Sequence, residues 1–185
     1  MYDIITQLVG IGATVLTILS FQAKTQKGIM MIQSISTVLW TVHFFMLGLI
    51  NGSFSGCFLN LLCAVRAVVY SKRESAAWAR SISWVYIFTA GALVIYALQF
   101  TVFGIEPTVK NLIIQLFPTI GVISTNVGYR LETGFKVRCS QFISSPCWFM
   151  YNLFSGSIGG MITEVISFLS EIVGILRHDI KRKKA

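Results

Sequence analysis

Apolar residues fill seven stretches of the chain, each of about 18–22 residues. They lie near residues 5–22, 29–50, 53–71, 82–103, 111–128, 137–154 and 157–176. A helix rises 1.5 Å per residue and so needs about 20 residues to cross roughly 30 Å of hydrocarbon. The pattern therefore predicts an all-α membrane protein with seven transmembrane helices.

The breaks between these stretches differ in length and composition. Only "INGSFSG" separates the second stretch from the third, and only "FSGSIGG" separates the sixth from the seventh. Runs of glycine and serine of this size close tight turns between helices. We therefore expect two helical hairpins at these positions.

Composition agrees with a membrane location. The chain of 185 residues is 55% hydrophobic and 12% charged, with a mean hydropathy of +0.73, whereas ordinary globular domains are about 25% charged. Its four cysteines show no CxxC spacing, so we interpret them as small apolar filling residues. We expect no metal ion and no cofactor.

The basic residues lie almost entirely on one side of the seven predicted spans. Every lysine and arginine except Lys110 and Arg66 falls in the segments of one side. Because cationic loops stay in the cytoplasm, we expect an outer N-terminus and a cytoplasmic C-terminus. This asymmetry accounts for the net charge of +8 without any nucleic acid, and residues 178–185 form a basic cytoplasmic tail beside the lipid headgroups.

Two parts of the chain resemble each other. The pattern SxxxWxxH from Ser36 to His43 matches SxxxWxxY from Ser144 to Tyr151. After a shift of four residues, about one helical turn, "TILSFQ" matches "GVISTN", and "GCFLN" matches "GMITE". We expect a duplicated unit of three helices.

The repeat predicts the organisation of a single membrane domain, residues 1–185. Residues 5–71 form the first three-helix repeat, and residues 109–177 form the second. Residues 82–103 form a linker helix, which crosses the membrane once more and restores the starting side. The prediction is a 3+1+3 arrangement of two parallel three-helix bundles, a plan used by transporters.

Several motifs carry a resemblance to a known family. These are "LSFQ", "LW..HF..LG", the "N.....R" of the third stretch and "W..YN...GS.GG.I.E......I.GI.R.D". Over most of its length the chain resembles the bacterial YgjV family of inner-membrane proteins, which implies a bacterial inner membrane. Its topology is remotely similar to the PQ-loop/SWEET superfamily, whose members move sugars by alternating access, carry amino acids with protons or act as receptors.

The hinge residues depart from the SWEET pattern. The Pro-Gln pair of that superfamily is Phe21-Gln22 here, with Asn126 at the matching site of the second repeat. Pro118 and Pro146 lie in the second repeat only. Since prolines help helices bend, either the second half does the bending or the motion is reduced. We assign hinge roles to Gln22, Pro118 and Pro146.

The resemblance also implies a central binding site. Glu164 stands sixteen residues after Trp148, about the interval between pocket tryptophan and pocket asparagine in SWEET-like repeats, and Asn60 is its counterpart. We expect Trp40, Trp148, Asn60 and Glu164 to line one cavity, with Asn152 as a further substrate-binding residue, because aromatic faces with a few polar groups suit a small polar ligand. The alternative is helix packing and interhelical hydrogen bonding.

An ionisable residue inside a predicted span indicates a structural or functional role, because placing its charge in lipid costs free energy. Glu164 suggests proton coupling or a positively charged substrate, and its alternative is a hydrogen-bonded structural acid. His43 and Tyr151 are candidate outer gate residues or a packing pair. Arg66 and Glu171 are a candidate ion pair or an inner gate.

No enzyme signature is present, and the segments outside the predicted spans are too short for a catalytic domain, so we expect no enzymatic activity. Two functions remain. The first is a small-molecule transporter that works by alternating access and carries a sugar or a proton-coupled polar solute. The second is a non-transporting receptor or assembly partner. Expected partners are a small polar solute and membrane lipids, and a second copy of the chain is a further candidate.

Overall fold

The computed structural model describes residues 2–23, 25–73, 75–131 and 134–177, which form seven α-helices and one short 3₁₀ helix. The α-helices are α1 Tyr2–Gln22, α2 Gln26–Asn51, α3 Ser55–Ser71, α4 Ser83–Thr101, α5 Val109–Arg130, α6 Gly134–Ser155 and α7 Ile158–Ile175. The all-α prediction is confirmed, and the helices follow the seven apolar stretches. The predicted basic tail lies outside the described residues.

The two glycine-serine runs form the tight connections that their composition predicts. Gly52 follows α2 with φ 76° and Gly156 follows α6 with φ 73°. Left-handed backbone is characteristic of the glycine that ends a helix. After the second turn, Ser157 caps α7 by accepting a hydrogen bond from the Gly160 N–H.

Six of the helices pack in a ring. In each half of the chain, successive helices are neighbours, so that α2 packs on α1 and α3, and α6 packs on α5 and α7. The ring is closed by α1 against α7 and by α3 against α5. Helix α4 packs outside this ring on α3 and α5, and its Tyr86 is 70% exposed.

Four helices are long and apolar enough to cross a membrane, namely α4, α5, α7 and residues Met31–Ile50 of α2. Helices α1 and α3 contain the shorter apolar segments Ile4–Ser20 and Ser55–Ser71. Large apolar side chains are exposed on many helices, as expected where lipid replaces water. The structure therefore describes an α-helical membrane protein, and the count of seven spans stays a prediction.

Helix α6 is less apolar because its polar side chains face other helices. Its buried polar residues are Arg138, Gln141, Ser144, Ser145 and Asn152. Counting Arg138 among the loop residues was wrong. Arg138 lies inside α6, is 2% exposed and packs against Gly174 of α7.

Glycines allow the third helix of each half to approach the second. A Cβ on Gly56 of α3 would lie 2.6 Å from the Phe44 ring of α2. A Cβ on Gly160 of α7 would lie 2.5 Å from the Asn152 side chain of α6. A Cβ at less than 3 Å would displace its neighbour, so both helix interfaces depend on the absence of a Cβ at Gly56 and Gly160.

We predict that Gly56→Ala destabilises the protein by about 1–2 kcal/mol, because overpacking a tight contact displaces its neighbours. Thermal unfolding in detergent measures the effect. Gly12→Ala on α1 is the matched control, since a Cβ there would meet Leu39 at an ordinary 3.8 Å. That change should be neutral or slightly stabilising. Equal unfolding temperatures for the two variants would contradict the prediction.

Candidate functional site

The six ring helices enclose a central cavity of about 110 Å³. The five predicted substrate-binding residues, Trp40, Asn60, Trp148, Asn152 and Glu164, all line it. Most of the other lining groups are hydroxyls and amides, so the cavity is polar inside an apolar protein. The structure brings these residues together, and their role in substrate binding stays a prediction.

The two tryptophans both pack against one phenylalanine. The Phe44 ring centroid is 5.8 Å from that of Trp40 and 6.0 Å from that of Trp148. The Trp40 indole N–H donates to the Thr17 hydroxyl at 3.2 Å. Trp148 instead packs against Gly121, where a Cβ would lie 3.0 Å from the indole. Both indoles are therefore fixed at one end of the cavity.

The amides and the carboxylate of the cavity have different environments. The Asn60 amide donates to the Gly56 carbonyl of its own helix at 2.8 Å. The Oδ1 atom of Asn152 is buried and has no hydrogen-bond partner. Glu164 is half-buried, and both Glu164 and Ser145 line the cavity. Asn152 Oδ1 lies against Gly160 of α7, so this amide contributes to the packing of α6 on α7.

His43 joins the two halves of the chain at the end of the cavity that we predict to be outer. Its Nδ1 lies 2.8 Å from the Thr6 carbonyl of α1, and its Nε2 lies 3.3 Å from the Ser157 hydroxyl. A carbonyl only accepts, so Nδ1 donates to Thr6. In the neutral ring, Nε2 then accepts from Ser157. His43 is fully buried, and its position fits a gate residue.

Tyr151 makes the corresponding connection from the other half. The Ser55 hydroxyl donates to Gln115 Oε1 at 2.6 Å, so it accepts from the Tyr151 hydroxyl at 2.8 Å. The Tyr151 oxygen in turn accepts from the Gly56 N–H at 3.1 Å. We call the hydrogen-bonded groups of His43, Tyr151, Ser55, Gln115 and Ser157 the outer layer.

A second cavity of about 290 Å³ lies against the other side of the outer layer. Tyr151 and Gln115 belong to its wall, together with Ser53 from the α2–α3 connection and Asn111 from the first turn of α5. We call it the vestibule. Tyr151 contributes to the layer between the vestibule and the aromatic end of the central cavity.

The opposite end of the central cavity is bounded by a second set of buried polar groups. The Tyr129 hydroxyl donates to Gln33 Oε1 at 2.6 Å and accepts from the Gln141 amide. The Arg66 guanidinium lies 4.6 Å above the Tyr129 ring. We call Gln33, Arg66, Tyr129 and Gln141 the inner layer, which links α2, α3, α5 and α6.

The expected ion pair between Arg66 and Glu171 is not formed. Arg66 donates through one nitrogen to Thr125 at 2.6 Å and to Asn126 at 2.7 Å. Glu171 is fully buried on α7, and neither of its oxygens has a hydrogen-bond partner. The pair fails because Arg66 turns towards acceptors on neighbouring α5. A gate role for Arg66 still fits its place in the inner layer.

The predicted hinge residues occupy different environments. Gln22 donates to the Ser170 hydroxyl at 2.9 Å, so it joins the ends of α1 and α7. Pro118 is buried inside α5, and Pro146 is exposed inside α6. Both helices continue through their prolines, each without one backbone hydrogen bond. The hinge role stays a prediction.

Sequence reasoning missed Phe44 of the cavity wall and Gln33 and Tyr129 of the inner layer. Phe44 and Tyr129 belong to aromatic-rich helices in which no pattern distinguishes a cavity residue from a lipid-facing one. Gln33 offered a signal, because an amide inside an apolar stretch requires a partner. In the part of the chain that the structure describes, no three His, Cys, Asp or Glu side chains come together as metal ligands would.

The ring and its polar cavity define an α-helical membrane protein with an internal polar site. The chain matches over residues 4–182 the family described as bacterial inner membrane protein, Imp-YgjV, and it belongs to that family. It is 26% identical over 173 residues to the inner membrane protein YgjV of Escherichia coli strain K12, covering 94% of this chain and 84% of that protein. No solved structure matches the chain.

We predict that Tyr151→Phe lowers the free energy of unfolding by about 1–3 kcal/mol, because it leaves buried partners at Ser55 and Gly56 unsatisfied. Thermal unfolding in detergent measures the loss. Tyr86→Phe on α4 makes the same chemical change at an exposed site and should have little effect. The prediction is wrong if the two variants unfold alike.

Proposed function

We propose that the protein is a small-molecule transporter of the bacterial inner membrane that works by alternating access. The observation that carries this proposal is a polar cavity between two layers of buried hydrogen bonds, both of which join the two halves of the chain. Such a layer can open by separating the halves. A carrier needs two such layers, whereas a receptor needs one open side.

Contacts at the ends of the helices support a parallel repeat. In the sequence register, Gln22 corresponds to Asn126, and Ser170 corresponds to Arg66. Gln22 of α1 hydrogen-bonds Ser170 of α7, and Asn126 of α5 accepts from Arg66 of α3. Related positions therefore make related contacts across the two closing interfaces of the ring.

The outer layer supports the same symmetry. His43 reaches from α2 to the N-terminal end of α7, and its counterpart Tyr151 reaches from α6 to the N-terminal end of α3. The pairs Phe44–Gly56 and Asn152–Gly160 likewise occupy matching positions. We therefore propose the 3+1+3 architecture with α4 as linker, and a remote relationship to the PQ-loop/SWEET plan.

In the proposed transport cycle, the outer layer and the inner layer open in turn. Opening towards the vestibule breaks the hydrogen bonds of Tyr151 and His43, while the inner layer keeps the other end closed. Opening on the other side separates Tyr129 from Gln33, so that α2 moves away from α5. Each state retains one intact layer, which prevents a continuous pore.

The charge pattern supports an outer position for the vestibule, because basic segments stay cytoplasmic. The proposed topology has an outer N-terminus and a cytoplasmic C-terminus. One chain supplies the whole cavity, lipids surround it, and neither nucleic acid nor an enzymatic reaction enters the mechanism. A cavity of 110 Å³ has the volume of about four liquid waters, which limits the occluded solute to a small molecule.

Cys63 is a native probe of the cavity wall. In a variant whose other three cysteines are replaced, we predict that Cys63 reacts with a small membrane-impermeant thiol reagent applied from either face of sealed vesicles. The reason is that each outward or inward opening exposes the cavity to water. Labelling is measured by mass spectrometry.

The matched control places the cysteine on the lipid-facing side of the same helix, at Val68, which is 50% exposed on α3. Val68→Cys in a background without other cysteines should remain unlabelled. Labelling of Cys63 from one face only would overturn the carrier and favour a receptor.

Glu164 is the carboxyl of the cavity wall, so we expect it to set the pH dependence of transport. Once a solute that shifts the unfolding temperature is found, uptake into vesicles by Glu164→Gln should lose the dependence on pH seen with the native protein. A profile unchanged in Glu164→Gln but flattened in Glu171→Gln would transfer this role to the buried carboxyl of Glu171.

A further inference from the structure

The inner end of the central cavity holds a buried guanidinium group that has no carboxylate partner. Arg66 is 5% exposed and lines the cavity from α3. Its Nη1 atom makes all of its hydrogen bonds, which go to the Val122 carbonyl, the Thr125 hydroxyl and Asn126 Oδ1. These three acceptors are uncharged, and no carboxylate among the described residues forms an ion pair with Arg66. The positive charge is therefore not neutralised by the protein.

One edge of this guanidinium is free of hydrogen bonds. Nε is buried and has no hydrogen-bond partner. Nη2 also makes no hydrogen bond to any residue that the structure describes, but it remains accessible, so the cavity reaches it. Nε and Nη2 direct parallel N–H groups along one edge of the planar group, and this edge can bind both oxygens of a carboxylate. Because unbonded buried donors cost free energy, a ligand at this edge gains affinity.

The surrounding residues hold the free edge in place. The Arg66 guanidinium carbon lies 4.6 Å from the centroid of the Tyr129 ring, which fixes one face of the group. Tyr129 is itself held by hydrogen bonds with Gln33 and Gln141. The bonds of Nη1 to α5 fix the opposite edge. The two free N–H groups are therefore preorganised, which lowers the entropy cost of binding.

We propose that the central cavity binds a small monocarboxylate, whose two oxygens accept hydrogen bonds from Nε and Nη2 of Arg66. This inference rests on the proposed function and names its substrate class. One guanidinium compensates one negative charge, so a monocarboxylate fits better than phosphate or a dicarboxylate. The cavity of about 110 Å³ limits the solute to a short chain such as that of propionate. Trp40, Phe44 and Trp148 line the same cavity and offer apolar faces to this chain.

Glu164 completes the charge balance of the cavity. Arg66 and Glu164 are the two charged side chains among the described residues that line it. An ionised Glu164 would repel a bound carboxylate, whereas a protonated Glu164 leaves Arg66 and the solute as a neutral pair. We therefore expect the monocarboxylate to bind together with a proton. Glu164→Gln, which is permanently neutral, should bind propionate at neutral pH at least as tightly as the native protein.

The test compares propionate with propionamide, its uncharged analogue of similar shape. Binding to the full protein in lipid nanodiscs is measured by calorimetry. Propionate should bind at least about tenfold more tightly, because hydrogen bonds to charged groups are the stronger ones. Cys63 gives a second readout, since it lines the cavity three residues before Arg66, on the same side of α3. Propionate should slow the labelling of Cys63, and propionamide at the same concentration should not.

Two variants test the role of Arg66 by different routes. Arg66→Lys keeps the positive charge but removes the paired N–H groups, so it should weaken propionate binding at least about tenfold. Asn126→Asp places a carboxylate at the acceptor that lies 2.7 Å from Nη1, so it should pair with Arg66 and weaken propionate binding to a similar extent. This second variant retains the buried contact, so the proposal stays testable even if Arg66→Lys does not fold.

Asn111→Asp is the matched control for Asn126→Asp. It makes the same substitution in the first turn of α5, about 22 Å along the helix from Asn126. Since it changes the net charge of the protein equally but lies far from Arg66, it should leave propionate affinity unchanged. Thermal unfolding in detergent shows which variants are folded.

Three results would overturn the monocarboxylate. The first is equal affinity for propionate and propionamide. The second is native propionate affinity in Asn126→Asp. The third is tighter binding of inorganic phosphate than of propionate.

The labelling of Cys63 separates this inference from the proposed function. Labelling from both faces without propionate binding would exclude this substrate class while retaining the carrier. Propionate binding that depends on Arg66, with labelling from one face only, would retain the anion site and overturn the carrier.

Discussion

Polar side chains inside apolar helices constrain this fold more than any other feature. A hydroxyl, amide or imidazole in the hydrocarbon region has no water to bond, so it must find its partner on the protein. Here those partners repeatedly lie on the other half of the chain. Ser55 and Tyr151, His43 and Ser157, and Tyr129 and Gln33 are such connections. The apolar surface anchors the helices in lipid, and the polar groups determine which helices meet.

The same constraint explains how a cavity forms within a ring of helices. Hydrogen bonds and close glycine contacts hold the two ends of the ring together, and the Phe44 ring centroid lies 5.8 Å from that of Trp40 and 6.0 Å from that of Trp148. Hydroxyl and amide side chains from the ring helices line the space next to these aromatic rings.

Much of the fold and part of the site were accessible from the sequence, each for a physical reason. Apolar length and glycine-serine runs predict helices and their turns, since both are local properties. The repeated SxxxW pattern paired Trp40 with Trp148, and the resemblance to SWEET-like repeats implied that these residues share a cavity with Asn60 and Glu164. The predicted Arg66–Glu171 ion pair was wrong, because similar depth in the membrane on two helices does not determine which neighbouring helix a long side chain contacts. Arg138 was misplaced because hydropathy averages cannot distinguish a charge at a loop from one buried against a glycine.

The position of helix α4 bears on how the two halves of the chain assemble. The two halves pack on each other through α1 with α7 and through α3 with α5, while α4 stands outside the ring and contributes no wall to the central cavity. The information for assembly thus resides on helix faces rather than in the covalent connection. Under the proposed 3+1+3 architecture, a chain of three such helices would carry surfaces complementary to those of a second copy of itself.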